Sequence, residues 1–319
     1  MEPDLSKMDV DQTILIGVNF LKKNKLGDAK KIFLQLSKLE PANAEINHFL
    51  GITFQLLKQW NEAIIYYEKA IKIKPNFAEA HKNLGNIFYT LGKINEAEQY
   101  YKKSINLNPQ LEEAKTNLEI VLEQKKIVDW INQNEQPKKE TQRKIIADPF
   151  ITKRKVEHNL LDQIYNIQTL ELDKTNDIRF GNGRCSSTMK LFEKKNKIIE
   201  LVADDLTNII KKKFRSEIYI KESFFNILQA NSGTKPHKHL DPFDKEAGLD
   251  KQKYSLTYYI SIGDQSSKEP GILKLYNPNE EILPSEGTLV IIPSSRTHSS
   301  NYDGEKDRVM IGANFYILN

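Results

Sequence analysis

The chain has 319 residues, 39% of them hydrophobic and 28% charged, and a net charge of +4. This is room for two domains with separate cores, with no apolar run near the ~18 residues of a membrane span and too little positive charge to suggest a nucleic-acid binder. A single cysteine, Cys185, in the turn-like "GNGRCSS", excludes an internal disulfide and makes a poor nucleophile; with the acidic, polar start "MEPDLSKMDVDQ", it points to the cytoplasm.

From the N-terminus, three sets of residues recur with one period. Gly17, Gly51 and Gly85 are 34 residues apart, as are Ala29, Ala63 and Ala97, and Pro41, Pro75 and Pro109. Coincidence in all three registers has odds on the order of one in ten million. Each copy reads as two amphipathic helices: "AEAHKNLGNIFYTLG" and "KINEAEQYYKKSINLNP" carry apolar residues at helical spacing around a short turn. The glycine and alanine permit close approach of paired helices, and the proline ends the second one. With Tyr67 and Tyr101 at equivalent places, the pattern resembles the tetratricopeptide repeat over about residues 10–111, and "LEEAKTNLEIVLEQKK" reads as a capping helix that completes a domain of residues 10–126. Such arrays form a concave surface for a peptide or another protein, so the expected partner is a protein or peptide; a spacer role is the plainer alternative. His48 and His81 lie in first helices of repeats and are expected to be packing residues.

Residues 127–147, centred on "QNEQPKKETQRK", read as a charged linker before a second domain at 148–319. There "LFEKKNKIIELVADDLTNIIKKKF" has helical periodicity, and "IYIKESFFNILQA", "YSLTYYISI", "GILKLY", "GTLVIIP" and "RVMIGANFYIL" read as strands of a barrel or jelly roll. The expected fold is multidomain: an all-α solenoid followed by an α+β double-stranded β-helix of jelly-roll or cupin-like type.

In "TKPHKHLDPF", an extended backbone would point His237, His239 and Asp241 to one face, and three ligands in a row on one strand would be strained. Two of the three would therefore bind a metal, with His298, after "GTLVIIP" and a turn, as the distal ligand. Arg308, ten residues later, shares a strand face with Met310, Gly312 and Asn314, and an arginine pointing into a barrel needs an anion.

His239 and Asp241 as HxD, distal His298 and Arg308 resemble the iron(II)- and 2-oxoglutarate-dependent dioxygenases. Gly233 before the first ligand and the closing "RVMIGANF" also resemble the bacterial putative 2-oxoglutarate oxygenases found beside tetratricopeptide repeats; the resemblance covers about residues 180–319. It implies Fe(II) and 2-oxoglutarate as cofactors, Arg308 as the anchor of the 2-oxoglutarate carboxylate, and hydroxylation of an unactivated C–H bond in a prolyl, aspartyl or asparaginyl side chain or in a small metabolite. The two-histidine, one-carboxylate set His239, Asp241 and His298 is favoured. "HKH" also satisfies the HxH branch of the family, with His237 as alternative ligand; otherwise His237 is a neighbour or substrate contact. Prolyl hydroxylases carry a tyrosine where Gln229 stands, so Asn226, Tyr258 and Tyr259 are candidates for the second carboxylate contact. "DPFDKEAGLDKQKY" is expected to be a lid over the site. The rival readings are a tetratricopeptide-repeat interaction protein with a catalytically silent barrel, and a cupin-like zinc or iron site of His237, His239 and His298 that takes no 2-oxoglutarate.

Overall fold

Close contacts between glycine and aromatic rings set the helix pairing of the N-terminal region. A Cβ on Gly51 would stand 2.5 Å from the Tyr67 ring, and one on Gly85 2.6 Å from the Tyr101 ring. The pairs these contacts join are α1 (Val10–Lys22) with α2 (Leu26–Leu39), α3 (Ala44–Leu56) with α4 (Trp60–Ile73), and α5 (Ala78–Thr90) with α6 (Ile94–Leu107); α7 (Glu112–Asn134) follows. Ala29, Ala63 and Ala97 are fully buried between them, as are Phe33 and Tyr67. Each buried ring contributes about 1.5–3 kcal/mol through its apolar area. His48 packs among Phe49, Tyr67 and Phe77, is bonded to Asn83 at 3.0 Å, and is pushed down to about 4 by burial. It is a neutral core side chain.

The computed structural model describes residues 9–134, 148–167, 169–171, 183–186, 188–229 and 232–318. The chain divides into two units, Met1–Lys126 and Ile127–Asn319. The division falls within α7, which stays helical to Asn134, through the first residues of the sequence assigned to a linker. Residues 135–147, the rest of that segment, lie outside the described residues.

Among the described residues, the second unit has two antiparallel sheets. Its strands are β1 (Phe150–Lys153), β2 (Thr169–Glu171), β3 (Arg184–Ser186), β4 (Ile218–Leu228), β5 (Ser232–His237), β6 (Lys253–Ile262), β7 (Pro270–Leu275), β8 (Glu280–Ile282), β9 (Thr288–Pro293), β10 (His298–Tyr302) and β11 (Arg308–Ile317), with helices α8 (Leu160–Asn166), α9 (Lys197–Phe214) and α10 (Pro242–Glu246). The larger sheet runs β1-β9-β6-β11-β4-β3-β2 and the smaller β5-β10-β7-β8.

Strand alternation sorts β11 into two faces. Val309, Ile311, Ala313 and Phe315 join a core with Val202, Leu206 and Ile210 of α9, while Met310 packs with Tyr259, Val290, Ile292, Leu273 and Leu275 between the sheets. The periodic segment 191–214 is helical only from Lys197, because Asn196 is extended and accepts from the Ile198 and Ile199 amides; Leu191–Glu193 form a separate 3-10 turn. No helix among the described residues is long and apolar enough to cross a membrane.

Two expectations are corrected here. The extended run through "KPHKHLD" ends at His237, and Asp241 is instead the N-cap of α10, with a reciprocal capping box to Asp244 and Pro242 in the first turn. The segment expected to be a lid is anchored: Phe243, Asp244, Leu249 and Gln252 are buried, and Asp244 bonds Lys253 and Tyr316.

Candidate metal centre and anion pocket

Strand pairing brings the histidines together. β10 lies between β5 and β7, with His298 opposite His237 on one side and Leu275 on the other. His239 follows the end of β5, where its amide donates to the Ser294 carbonyl at 3.0 Å. The nitrogen ligand atoms of His237, His239 and His298 all lie within 4.8 Å of one another.

Two of the rings have their tautomer set by backbone. His237 Nδ1 lies 2.7 Å from the Lys235 carbonyl and His298 Nδ1 3.2 Å from the Arg296 carbonyl. A carbonyl only accepts, so each Nδ1 carries the proton and each Nε2 keeps a lone pair. Burial, then the neighbouring His237, pushes His298 down to about 4, leaving it neutral at pH 7. Nε2 of His239 stands 3.2 Å from Nε2 of His298. Two nitrogens bound to one ion at about 2.0–2.1 Å, at about 90–110°, are roughly 2.8–3.4 Å apart. These residues fit a divalent metal.

Asp241 is engaged elsewhere. Its Oδ2 pairs with Lys221 at 2.5 Å and Lys253 at 3.2 Å. Burial would raise this carboxyl, but Lys253 and Lys221 outweigh it and hold it at about 2. It is not among the side chains that converge with the histidines.

Arg308 is fully buried. Its Nη1 donates to the Pro270 carbonyl at 3.0 Å, while Nε and Nη2 have no hydrogen-bond partner among the described residues. Its Cζ sits 4.9 Å from the Tyr259 ring and 5.8 Å from that of Tyr302. Burial lowers its pKa, opposed by Tyr259 and Tyr302. A Cβ on Gly271 would overlap Nη1, and φ there is +81°, so glycine is required for the side chain to fit. Asn226 is buried on β4 opposite Met310, two pairs along from Arg308, and its Oδ1 also lacks a partner among the described residues.

A buried cation with unmet donors carries a desolvation cost that a bound anion would relieve. Tyr302 and His298 are four positions apart on β10, roughly 13 Å at strand spacing. Met310, which follows Arg308 on β11, packs with Leu273 and Leu275 between the sheets, and Leu275 is paired with His298. Tyr258 faces the other way, bonded to Arg154 and the Lys155 carbonyl.

Two models of the tetratricopeptide repeat match, one over residues 78–111 and the other over 56–92. Residues 56–111 are tetratricopeptide repeats. Similar solved structures cover about a third of the chain. The second TPR domain of human RPAP3, in complex with an HSP70 peptide, is 24% identical over 34% of this chain and 91% of that one, with a TM-score of 0.33. MamA is 22% identical over 38% and 71%, at 0.36. The Yersinia enterocolitica type III secretion chaperone SycD, in complex with a peptide of the translocator YopD, is 19% identical over 39% and 99%, at 0.36. No curated protein sequence matches the chain. An array of such repeats is a protein-interaction scaffold.

Proposed function

We propose that the C-terminal unit is an iron(II)- and 2-oxoglutarate-dependent dioxygenase, to which the repeat array recruits a protein or peptide substrate. The two antiparallel strand orders, β9-β6-β11-β4 within the larger sheet and β5-β10-β7-β8 in the smaller, support the jelly-roll reading. The observations that carry the proposal are Arg308, a buried guanidinium whose Nε and Nη2 have no hydrogen-bond partner among the described residues, and the three converging histidines.

On this reading His237, His239 and His298 hold the metal, and Arg308 neutralises the distal carboxylate of 2-oxoglutarate, with Asn226 and Tyr259 beside it. When bound, the metal and co-substrate supply the oxidising chemistry for C–H hydroxylation. The chain's own part is orientation and exclusion of water. The Lys235 and Arg296 carbonyls fix the imidazoles, while Met310, Leu273 and Leu275 keep the space apolar. The triad itself also suits a zinc or iron cupin that takes no 2-oxoglutarate, and Arg308 separates the two readings.

Anaerobic titration of the Fe(II)-loaded protein with 2-oxoglutarate is expected to give a weak visible charge-transfer band, which Arg308→Met loses while still binding metal. Metal binding without a band in the wild-type protein would favour the cupin without 2-oxoglutarate. No metal binding would leave the barrel a silent module beside an interaction array.

A further inference from the structure

The two faces of the larger sheet are filled unequally. The face that carries Ile311, Ala313, Leu256 and Phe225 is closed by α9. On the other face Met310 is the one residue of β11 that is not buried, although β11 is paired on both sides, and Thr257 on β6 is half-buried between buried neighbours. Side chains in the middle of a sheet stay accessible only beside a space that the protein itself does not fill. Gly312 lies next to both, paired with Thr257 and with Phe224 of β4. A Cβ there would stand 2.5 Å from the Phe224 ring, so the half-buried ring lies over the strand as a wall of that space.

Glu222 is the next residue along the same face of β4, paired with Asn314, which is paired in turn with Ser255. Asn314 Nδ2 lies 2.7 Å from Glu222 Oε2. A carboxylate only accepts, so the nitrogen of the amide faces it and Oδ1 takes the Ser255 hydroxyl at 2.7 Å. Ser255 Oγ then accepts from the Ser294 hydroxyl at 2.9 Å, and the Ser294 carbonyl accepts the His239 amide at 3.0 Å. Asn314, Ser255 and Ser294 are buried. The carboxylate is therefore held by a chain of hydrogen bonds that ends on the segment carrying His239.

Its other oxygen, Oε1, accepts no hydrogen bond among the described residues. Lys221 Nζ stands 3.9 Å from it and is engaged by Asp241 at 2.5 Å, while Lys253 is shared between Asp241 and Asp244. Two lysines thus meet three carboxylates, and the uncompensated charge falls to Glu222, whose side chain is 28% exposed. Asn226, on the same face of β4, is buried with Oδ1 unpartnered among the described residues. Both open atoms on this wall are acceptors, and what they lack is a donor.

We propose that Glu222 is a substrate-recognition residue that receives the cationic end of a lysine- or arginine-type side chain, whose aliphatic stem lies against Phe224, Thr257 and Met310. A partly desolvated carboxylate binds an ammonium or guanidinium group through charge-assisted hydrogen bonds, and the stem of such a side chain covers apolar surface. An acidic side chain is repelled by the same charge. The proposal rests on the oxygenase reading and narrows its substrate to a protein or peptide with a basic side chain.

The test uses the metal-free full-length protein labelled at its methionine methyl groups. Capped pentapeptides with a central lysine, arginine, norleucine or glutamate are titrated in, and the Met310 signal is followed by NMR. The lysine or arginine peptide is expected to shift it saturably and to bind about tenfold or more tightly than the norleucine peptide, with no shift from the glutamate peptide. Glu222→Gln keeps an oxygen for Asn314 and should abolish the preference for the cation while leaving the norleucine peptide unaffected. Equal binding of the lysine, arginine and norleucine peptides to the wild-type protein, a preference that survives Glu222→Gln, or no saturable shift with any peptide overturns the proposal. The oxygenase reading fails separately, through the absence of the Fe(II) and 2-oxoglutarate charge-transfer band; a cation-selective Met310 shift without that band supports the subsite and removes the hydroxylation.

Discussion

Asp241 shows how a residue of the right type at the right spacing can be taken by other chemistry. Its carboxyl lies below the ordinary carboxylate range in the folded protein, at about 2, so the stability it contributes is present above about pH 4 and is lost as pH falls towards 2. The contribution is on the order of 2 kcal/mol. Acid unfolding of Asp241→Asn followed by circular dichroism should therefore lack part of the wild-type loss between pH 4 and 2, and the variant should be less stable at pH 7, where Lys221 loses its closest partner. Metal content separates the ligand sets: Asp241→Asn should retain iron(II) at pH 7 and His298→Ala should not. If Asp241→Asn loses the metal and His237→Ala keeps it, the carboxylate is the ligand. The places of His298 and Arg308 in the fold, each at the start of a strand, were approachable from the apolar segments that flank them. The engagement of Asp241 was not, since it depends on lysines 20 and 12 residues away that only the folded sheet brings near. One local signal was available: Asp241, Pro242 and Asp244 spell a helix start, which competes with strand alternation.

At the scale of elements, the helices of the array were readable because one physical requirement recurs every 34 residues, a ring packed against a backbone with no Cβ. The strands β4, β6, β7, β9 and β11 were readable from branched and aromatic residues. β10 was not: "HSSNY" is polar, and its place is secured by pairing with β5 and β7 on either side. Two glycines test the packing account. Gly27 in α2 has open space around its Cβ position, so Gly27→Ala should stabilise the array by about 0.5–1 kcal/mol through helix propensity. Gly85→Ala meets the Tyr101 ring and should cost about 1–3 kcal/mol. Urea unfolding followed by helical circular dichroism reads both; equal effects would mean that the ring contact does not control pairing.

At the scale of the whole molecule, the two units have separate hydrophobic cores, one built from α1–α5 and the other from the larger sheet with α8 and α9. A ligand bound only by the folded state stabilises it by RT ln(1 + [L]/Kd), about 2.7 kcal/mol at a hundredfold excess over Kd. If His237, His239 and His298 hold a metal, that stabilisation enters through β5 and β10, which carry two of the ligands and pair with each other. Native-state hydrogen exchange, measured anaerobically with and without iron(II), should show slowed exchange in β5, β10 and β7, with the amides of α3–α6 as the unaffected reference. Adding 2-oxoglutarate should extend the protection to β11 and β4 around Arg308 and Asn226, because the anion relieves unpaired groups there. Protection by iron(II) that 2-oxoglutarate does not extend would separate the metal site from the arginine pocket and leave Arg308 without its assigned anion.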